Sequence, residues 1–316
     1  MKDALIICTK SRHQLIDRWL NDLEILTQGP SLVVIVDSNS SQQTFEIVKK
    51  HKTQSKLHIE YVHSESGLPM QRNNGIEYLL NNSEGELPEI VHFLDDDVSV
   101  QSNYFSTINS LFFEFSNAIA IGGFDRQTNM RQSNKILRQL LLLGSHHTGV
   151  VLKSGIGIPP LPQSRAEDVE WLPGLSQSFR FKIFSRIRFD SKIYFYGEDI
   201  DFYLRLKNVG DVICSNDLPV DHLHEPSDRD QISKSTMYWD GSRWWLAHRY
   251  PQAISRWAVI FSTGVLLIGE LMLGLLGKGK NHFNIALGHI CFFTNIILRR
   301  SVEKINFYDG NSSKIH

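Results

Sequence analysis

The stretch IVHFLDDDVSV occupies residues 90–100, and within it an apolar run ends directly in three consecutive aspartates, Asp95, Asp96 and Asp97. The apolar run predicts a buried strand, and in open α/β sheets the ligand crevice lies outside the carboxyl ends of the strands. Adjacent carboxylates repel one another unless a cation or several hydrogen-bond donors offset their charge. Oxygen ligands of this kind suit Mg²⁺ or Mn²⁺, which can in turn hold a phosphate. The stretch therefore predicts a metal-binding group at a cleft, with a solvated acidic turn as the alternative.

Strand-like and helix-like patterns alternate through the first half of the chain, on both sides of this stretch. Their alternation and spacing predict βαβ units, and hence an α/β fold with a mostly parallel central sheet flanked by helices. Asp37 ends the second apolar run, so a parallel sheet would place it at the same edge as the triple aspartate. The strand-like runs are residues 4–9, 32–37, 57–63, 90–95 and 119–122, and the helix-like stretches lie near residues 14–26, 42–51, 70–81 and 104–115.

A second acidic pair, Glu198-Asp199, follows a stretch of weak periodicity. Residues 144–173 are rich in Gly, Pro, Ser and His, and we expect them to form a loop that carries substrate contacts or acts as a lid. The acidic pair then opens a helix that Gly210 is expected to end. The positive end of the helix dipole favours ionised carboxylates there, and a carboxylate that faces an acceptor can serve as a general base. The alternative is an acidic helix start without chemistry.

Two histidines and one arginine are further candidates. His222 and His224 follow the short strand-like run 212–214, and alternate spacing in an extended segment puts both imidazoles on one face. One of them could complete the coordination of a cation held by carboxylates, although an ordinary surface pair has the same spacing. Arg72 lies in the first turn of the helix expected near residues 70–81, where it could pair with a nucleotide or hold the acidic cluster together. A purely structural ion pair is the alternative for this arginine.

The composition limits the class of protein. The chain has 316 residues, of which 41% are hydrophobic and 21% are charged, and its formal net charge is −1. A nearly neutral chain has no overall field that would attract nucleic acid. Its three scattered cysteines do not suggest a disulfide framework or a zinc cluster, which indicates a reducing compartment. The N-terminus runs straight into a strand-like segment without the long apolar region of a secretory signal, so we expect a cytoplasmic location.

Two apolar segments near the C-terminus change the character of the chain. Residues 257–276 are long enough to cross a bilayer, although Glu270 would be expensive in lipid unless paired, and residues 285–298 form the second segment. Lysine or arginine follows each segment, which suits an anionic cytoplasmic surface. We expect a catalytic domain over residues 1–233 and a helical region over residues 234–316 that associates with the inner face of the plasma membrane. A buried helical hairpin or a homodimer interface is the alternative.

Six short motifs follow one another in an order that is more specific than any one of them. They are TKSR at 9–12, VIVDSNS at 34–40, GLPMQRNNGI at 67–76, HFLDDDVSV at 92–100, WLPGLSQSFR at 171–180 and YGEDIDFYLRL at 196–206. The set resembles family 2 glycosyltransferases, which are inverting enzymes with the GT-A fold. Gln71 departs from the family pattern, which usually has a small residue there. The later stretch YWDGSRWWLAHRY at 238–250 is similar to bacterial members acting on polysaccharides, including rhamnosyltransferase-like enzymes.

This resemblance implies a metal-dependent, inverting hexosyl- or deoxyhexosyltransferase. It would move a sugar from a nucleotide-diphosphate sugar to a hydroxyl of a glycan or lipid-linked acceptor in cell-surface polysaccharide synthesis. Asp97 and His222, with His224 as the rival histidine, would hold Mg²⁺ or Mn²⁺, and Asp199 beside Glu198 would be the base. The residues implied in donor binding are Thr9, Arg12, Asp37, Arg72, Asp95, Asp96 and Gly174.

Two other functions are alternatives. A sugar-phosphate nucleotidyltransferase also uses an α/β fold with a carboxylate-bound metal, but it would be expected to carry a glycine-rich loop after the first strand. Residues 8–12 contain no glycine, which counts against that function. The second alternative is a non-catalytic, membrane-bound nucleotide-sugar-binding protein, against which the presence of both Asp97 and Glu198-Asp199 counts.

Overall fold

The chain forms two compact units in the computed structural model, which describes residues 2–26, 28–39, 41–82, 86–128, 135–193, 196–223, 232–279 and 281–298. The first unit comprises Met1–Met130, Pro159–Ser191 and Phe202–Glu225, and the second comprises Arg131–Ile158, Lys192–Asp201 and Pro226–His316. The domain boundary expected at residue 233 stays a prediction.

Strands and helices alternate through the first half as the sequence predicts, with bounds that differ from the expected ones by a few residues. These elements are β1 (Asp3–Thr9), α1 (His13–Glu24), β2 (Leu32–Asp37), α2 (Gln43–Gln54), β3 (Ile59–His63), α3 (Leu68–Asn82), β4 (Ile90–Asp95), β5 (Val98–Ser99), α4 (Tyr104–Glu114) and β6 (Ala118–Asp125). The later elements are α5 (Lys135–Leu140), β7 (Val150–Val151), β8 (Gly157–Ile158), β9 (Ala166–Asp168), β10 (Ser176–Arg180), a 3₁₀ helix (Phe181–Ser185), α6 (Glu198–Leu206), β11 (Asp211–His222), α7 (Ile232–Arg249), α8 (Arg256–Leu275) and α9 (Asn281–Ile297).

The central sheet of the first unit runs in the order β3-β2-β1-β4-β10-β6-β11-β5, and β9 pairs with β11. β3, β2, β1 and β4 are parallel to one another, and β6 and β11 are parallel neighbours. β10 lies antiparallel between β4 and β6. The predicted α/β fold class is therefore confirmed. From β1 the chain adds β2 and β3 on one side, and β4 then lies on the other side of β1. Open α/β sheets have their ligand crevice at such a reversal of the strand order.

Burial explains why the strands beside this crevice have continuous apolar sequences. β1, β2 and β4 are buried on both faces of the sheet, so they show no polar alternation. α1 covers one face with Ile16, Trp19, Leu20 and Leu23, whose spacing is that of one helical stripe. Each of these four side chains is at most 2% exposed. The helix is thereby packed next to the strand ends that carry the polar candidates.

The strand β10 is not predicted, because its first three residues are polar. Ser176, Gln177 and Ser178 are nevertheless fully buried in the middle of the sheet. The hydroxyl of Ser176 lies 2.8 Å from the hydroxyl of Tyr104, and that of Ser178 lies 2.8 Å from Nδ1 of His92. Buried polar groups are tolerated when they have such partners. Partners that are distant in the sequence therefore replace the apolar pattern expected of a central strand.

Gly210 does not end α6, contrary to the expectation. The helix ends at Leu206, and Asn208 adopts the left-handed conformation with a φ of 72°. A Cβ at position 210 would lie 2.5 Å from the side chain of Ile119 and 2.7 Å from the carbonyl oxygen of Asn117. The glycine is therefore needed because the chain passes close to the start of β6.

Residues 144–173 are also more structured than expected, since they contain the short strands β7, β8 and β9. The two apolar C-terminal segments form α8 and α9, and Ser255 caps α8 by accepting a hydrogen bond from the backbone nitrogen of Ala258. Within the described part of the chain, α8 has the length and the apolar composition needed to cross a membrane, and 22% of its most apolar window is buried.

Candidate active site

The carboxyl ends of β1, β2 and β4 lie side by side. Thr9 is in register with Asp37 across β1 and β2, and Cys8 is in register with Asp95 across β1 and β4. Thr9, Asp37 and Asp95 therefore lie at one edge of the sheet, as parallel pairing requires. The sheet thus brings together candidates from three separate parts of the sequence.

Asp96 anchors the end of β4 to the end of β1. Its Oδ2 accepts a hydrogen bond from the Thr9 hydroxyl at 2.7 Å, and its Oδ1 accepts one from Nη1 of Arg12 at 2.7 Å. Burial raises the pKa of Asp96 above its ordinary value of 3.8, although Arg12 and Thr9 act in the opposite direction. Both carboxylate oxygens are occupied by protein donors, so this side chain holds the site in shape.

Asp97 lies between a histidine and an arginine. Its Oδ1 is 3.2 Å from Nε2 of His222, and its Oδ2 accepts a hydrogen bond from Nη1 of Arg12 at 3.0 Å. Burial opposes ionisation of Asp97, but the hydrogen bond and charge of His222 and the Arg12 guanidinium outweigh it and lower the pKa of Asp97. The hydrogen bond to Asp97 raises the pKa of His222, against the effect of burial. Asp97 is therefore more acidic than the neighbouring Asp96.

Arg12 reaches both aspartates from a strained turn after β1. Ser11 has a φ of 58°, in the left-handed region that residues other than glycine rarely adopt. A single nitrogen of Arg12, Nη1, then contacts both Asp96 and Asp97. Burial acts to lower the pKa of Arg12, but the two carboxylates raise it on balance. The guanidinium is thus a permanent cation that offsets part of the negative charge of the cluster.

Two residues of α1 fix the backbone of the triple aspartate, and the sequence analysis does not identify them. Nη2 of Arg18 donates hydrogen bonds to the carbonyl oxygens of Asp96 at 3.1 Å and Val98 at 2.9 Å. Nε1 of Trp19 donates to the carbonyl oxygen of Asp95 at 3.2 Å. The helical period that places Trp19 on the buried face is the one sequence signal that could have located it.

Asp37 is fully buried at the end of β2 and has one unsatisfied carboxylate oxygen. Its Oδ1 accepts a hydrogen bond from the backbone nitrogen of Asn39 at 2.9 Å, whereas its Oδ2 has no hydrogen-bond partner among the described residues. Burial, the charge of Asp37 and a side-chain interaction with its carboxylate raise the pKa of Tyr61, although the geometry of that contact is too loose for a hydrogen bond to Oδ2. Buried carboxylate oxygens normally have a donor, so Oδ2 of Asp37 is suited to an N–H group of a ligand.

Gln71 joins the ends of β1 and β2. Its Nε2 donates hydrogen bonds to the carbonyl oxygens of Thr9 at 2.8 Å and Val36 at 3.0 Å, and both bonds are buried. The amide thereby sets the spacing of the two strand ends and the position of Asp37, which follows Val36. A side chain that departs from the family pattern has a defined structural role here.

Arg72 and Gly174, both expected in donor binding, also lie close together. Nη2 of Arg72 lies 3.5 Å from the carbonyl oxygen of Gly174, and its guanidinium carbon lies 5.1 Å from the centre of the Phe189 ring. The arginine is 1% exposed. These contacts hold α3 against the segment that leads into β10, while the donor-binding roles of both residues stay predictions.

The sequence predicts only a short strand over residues 212–214, with His222 after it. In the structure β11 is longer, and His222 is its last residue. It is in register with Val98 of β5, which follows directly after Asp97. The pairing of β11 with β5 therefore places the imidazole of His222 next to Asp97. His224 lies outside the described residues.

The pair formed by Asp97 and His222 fits a divalent cation. Among the described residues, no group of three or more His, Cys, Asp or Glu side chains is arranged to hold a metal ion. Mg²⁺, however, is commonly held by one or two protein groups, with phosphate and water oxygens as its other ligands. Adjacent ligands of an octahedral ion, each about 2.1 Å from the metal, stand about 3 Å apart. Oδ1 of Asp97 and Nε2 of His222 form an ion pair at 3.2 Å, and a cation that they held would replace the proton between them.

Glu198 and Asp199 lie in the first turn of α6, in the second compact unit. Glu198 is buried and Asp199 is half-buried. The side chain of Asp201 in the same turn is fully buried and accepts a hydrogen bond from the Tyr250 hydroxyl at 2.7 Å, which ties the helix start to the end of α7. The expected role of Asp199, beside Glu198, as the base stays a prediction.

A known protein family matches the part of the sequence that forms most of this site. The model of glycosyl transferase family 2 matches residues 4–187, which is more than half of the chain. A search of curated proteins found no match.

Among solved structures, the chain is similar to a mannosyltransferase from Pyrobaculum calidifontis in complex with GDP-Man and Mn²⁺. The TM-score is 0.59 at 14% identity, over 95% of this chain and 88% of that chain. For S. aureus TarS the TM-score is 0.50 at 15% identity, over 93% and 92% of the two chains. For GalNAc-T7 with UDP, GalNAc and Mn²⁺ it is 0.51 at 12% identity, over 80% of this chain and 52% of that chain. At these identities the likeness concerns the fold, and it confirms the expected GT-A architecture.

Proposed function

Since this chain belongs to glycosyl transferase family 2, we propose that it is a metal-dependent, inverting transferase that uses a nucleotide-diphosphate sugar. Family membership makes it a nucleotide-sugar glycosyltransferase. The transferred group is a hexosyl or deoxyhexosyl residue, and the acceptor is a hydroxyl of a glycan or lipid-linked glycan in cell-surface polysaccharide synthesis. The observation that carries the proposal is the approach of Asp97 and His222 to 3.2 Å at the ligand edge of the sheet.

Asp97 and His222 would hold Mg²⁺ or Mn²⁺ together with the donor phosphates. The ion would supply positive charge beside the departing diphosphate. The protein prepares this position because Arg12 binds Oδ2 of Asp97 and leaves Oδ1 directed at the histidine. Asp96, held by Thr9 and Arg12, keeps the segment in place.

The nucleobase of the donor is assigned to Asp37. Its Oδ2 is buried and lacks a donor among the described residues, so an N–H group of a base would satisfy it. Gln71 supports this contact, because it ties the end of β2 to the end of β1 through two buried hydrogen bonds. The remaining oxygen of Asp37 is already held by the backbone of Asn39, which orients the carboxylate.

Asp199 is assigned as the base that takes the proton from the acceptor hydroxyl. The hydroxyl oxygen attacks the anomeric carbon from the face opposite the departing diphosphate, which inverts the configuration. Asp199 lies in the first turn of α6, at the positive end of the helix dipole. The hydrogen bond from Tyr250 to Asp201 holds that turn in place.

Transfer is tested with a panel of nucleotide sugars and glycan acceptors, assayed with Mn²⁺, with Mg²⁺ and with a chelator. We expect release of nucleoside diphosphate that requires the metal, and a product whose anomeric configuration, read by NMR, is opposite to that of the donor. Full activity in chelator would reject the metal, and a retained configuration would reject inversion. Formation of a nucleotide sugar from a sugar phosphate and a nucleoside triphosphate would instead identify a nucleotidyltransferase.

A further inference from the structure

The helices α8 and α9 each present an apolar stripe that no described residue covers. On α8, Trp257, Ile268 and Leu275 are 80%, 60% and 80% exposed, and their spacing places them on one side of the helix. On α9, Phe283, Leu287 and Ile297 are 46%, 49% and 78% exposed and share one side in the same way. Contiguous exposed apolar surface of this kind marks an interaction site.

The buried residues of α8 are mostly small or polar, whereas α9 buries Ala286, Gly288 and His289 together with the large ring of Phe292. The residues of α8 that are buried are Ala258, Val259, Ser262, Thr263 and Gly274. A water-soluble helix pair has the opposite arrangement, with its large apolar side chains inside. Small and polar residues at the helix interface and apolar residues outside are typical of helices in lipid.

A buried charged network attaches the hairpin to α7. Asp240 of α7 accepts hydrogen bonds from Nη1 of Arg243 at 2.9 Å and from the Thr263 hydroxyl at 3.2 Å, and its Oδ2 lies 2.6 Å from Nδ1 of His289 on α9. Arg243 also donates to the hydroxyl of Ser262. All five residues are at most 2% exposed. These buried polar contacts hold α8 and α9 on α7, and the outer apolar stripes take no part in them.

Glu270, whose charge would be unfavourable in lipid, is paired with a histidine. Glu270 is the one acidic residue between positions 257 and 300, and its Oε2 lies 2.6 Å from Nδ1 of His282 on α9. A paired carboxylate is much less expensive near hydrocarbon than a free one.

The charges around the hairpin indicate which partner binds its exposed apolar stripes. Basic residues flank both helices in the sequence: Arg256 is the first residue of α8, Lys278 and Lys280 lie between the helices, and Arg299 and Arg300 follow α9. Anionic lipid headgroups complement such a distribution. A second copy of the chain would bring the same positive charges against one another.

The packing of α9 on α7 decides how deep the hairpin can lie. A Cβ at Gly288 would collide with the backbone of Ser233 and the side chain of Thr236, so the two helices are in close contact. Further along, Nδ2 of Asn295 lies 3.4 Å from the sulfur of Met237. A hairpin that crossed the bilayer would carry the charged α7 into the hydrocarbon. An interfacial position leaves α7 in water.

We propose that the α8–α9 hairpin attaches this protein to an anionic bilayer surface, with its outer apolar stripes in the outer part of the hydrocarbon, and that the acceptor is lipid-linked. The location that follows is the inner face of the plasma membrane. The hairpin and the first turn of α6 belong to one compact unit, and Tyr250, at the end of α7, binds Asp201 two residues after the assigned base. The lipid-linked acceptor rests on the proposed transferase function, whereas the attachment to the bilayer does not.

The attachment is tested by flotation of the full chain with phosphatidylcholine vesicles and with vesicles that contain phosphatidylglycerol. The test variant is the triple substitution Phe261→Ser, Ile268→Ser and Leu275→Ser, which changes exposed residues of α8. The control is Ile25→Ser with Phe113→Ser, which changes two apolar residues of the first unit that are at least as exposed as those changed on α8. Circular dichroism verifies that each variant is folded.

We expect the wild type and the control to float with anionic vesicles, and the triple variant to lose at least about tenfold in partitioning. High salt should weaken the binding, because headgroup attraction is screened. A wild type that does not float would overturn the proposal, as would a folded triple variant that floats equally well. Dimers in solution that the triple substitution dissociates would assign the stripes to a second copy instead.

The acceptor is tested with one sugar chain in two forms, water-soluble and lipid-linked in vesicles. We expect the triple variant to lose transfer to the lipid-linked form at least about tenfold and to keep transfer to the soluble form. Equal loss on both forms would overturn the lipid-linked acceptor. Absence of any transfer by a wild type that floats would reject the transferase function and leave the attachment intact.

Discussion

Nε2 of His222 lies 3.2 Å from Oδ1 of Asp97, although two strands separate β11 from β4 in the sheet. The contact is possible because β5 follows Asp97 directly and pairs with the end of β11. The chain thus leaves β4, passes the ligand edge and joins a distant strand. A carboxylate and an imidazole from separate parts of the sequence thereby form an ion pair at the edge of the sheet where we propose the metal site.

Asp97→Asn should weaken metal-dependent donor binding. The substitution removes the negative charge of one of the two proposed protein ligands, so we expect the affinity for donor with Mn²⁺ to fall by about tenfold to hundredfold. Titration calorimetry with and without the metal measures this effect. Asp211→Asn is the control, because Asp211 is exposed and lies at the start of β11. An unchanged affinity in Asp97→Asn would remove Asp97 from the metal site.

Asp199→Asn should reduce turnover and leave donor binding nearly intact. The amide cannot accept the proton of the acceptor hydroxyl, so we expect kcat to fall by about 100-fold or more. The donor dissociation constant, measured separately by calorimetry, should stay close to that of the wild type. If kcat is unaffected, the base is another residue.

Arg12→Gln should destabilise the fold. The substitution leaves the neighbouring carboxylates of Asp96 and Asp97 without the cation that contacts both. We expect the free energy of unfolding, measured in urea, to fall by about 2–3 kcal/mol. Arg12→Lys should recover part of the loss, because a single nitrogen makes both contacts. Equal stability of Arg12→Gln and the wild type would contradict this role.

Gln71→Met should affect both stability and donor binding. The substitution keeps the length of the side chain but removes two buried hydrogen bonds, to the carbonyl oxygens of Thr9 and Val36, which costs about 1–3 kcal/mol. The carbonyl oxygen of Thr9 keeps the hydrogen bond from the backbone nitrogen of Ser38. Because Gln71 positions Asp37, we expect KM for the donor to rise while kcat stays unchanged. Gln14→Met, on the exposed side of α1, is the control. A change in stability alone would limit Gln71 to a structural role.

Asp3 should make stability depend on pH at the acidic end. Its Oδ1 accepts a hydrogen bond from the backbone nitrogen of Ser31 at 2.9 Å, and its Oδ2 lies 3.4 Å from Nε2 of His92. Burial raises the pKa of Asp3, but the interactions with His92 and Ser31 lower it on balance below 3.8. The unfolded chain therefore binds the proton at higher pH than the folded chain. The resulting stability is complete above the unfolded pKa and is lost as the pH falls through the folded pKa.

The comparison of wild type with Asp3→Asn checks this sign. We expect the difference in the free energy of unfolding to be constant from about pH 7 to about pH 5 and to shrink below about pH 4. Urea titrations across this range measure it. A difference that grows as the pH falls would show that the sign is wrong.

Local patterns were sufficient to predict the strands that end in Thr9, Asp37 and Asp95. These strands are buried on both faces, so their sequences are apolar throughout, and their parallel pairing aligns their ends. β10 escaped the same reasoning, because its buried serines are satisfied by His92 and Tyr104, which are distant in the sequence. A local pattern of apolar residues predicts which segments are buried. It cannot show that a buried polar side chain has a hydrogen-bond partner elsewhere in the sequence.

The sequence by itself determined the α/β fold, the edge of the sheet that carries the acidic cluster and the helical character of the apolar C-terminal segments. Only the tertiary structure decided that Asp96 is held by Thr9 and Arg12 while Asp97 meets His222, and that the buried side of α8 carries mostly small and polar residues. The reason is physical. Periodicity and composition record the average environment of a segment, but the role of a charged side chain depends on which charges and donors lie within a few ångströms, and folding alone brings those groups together.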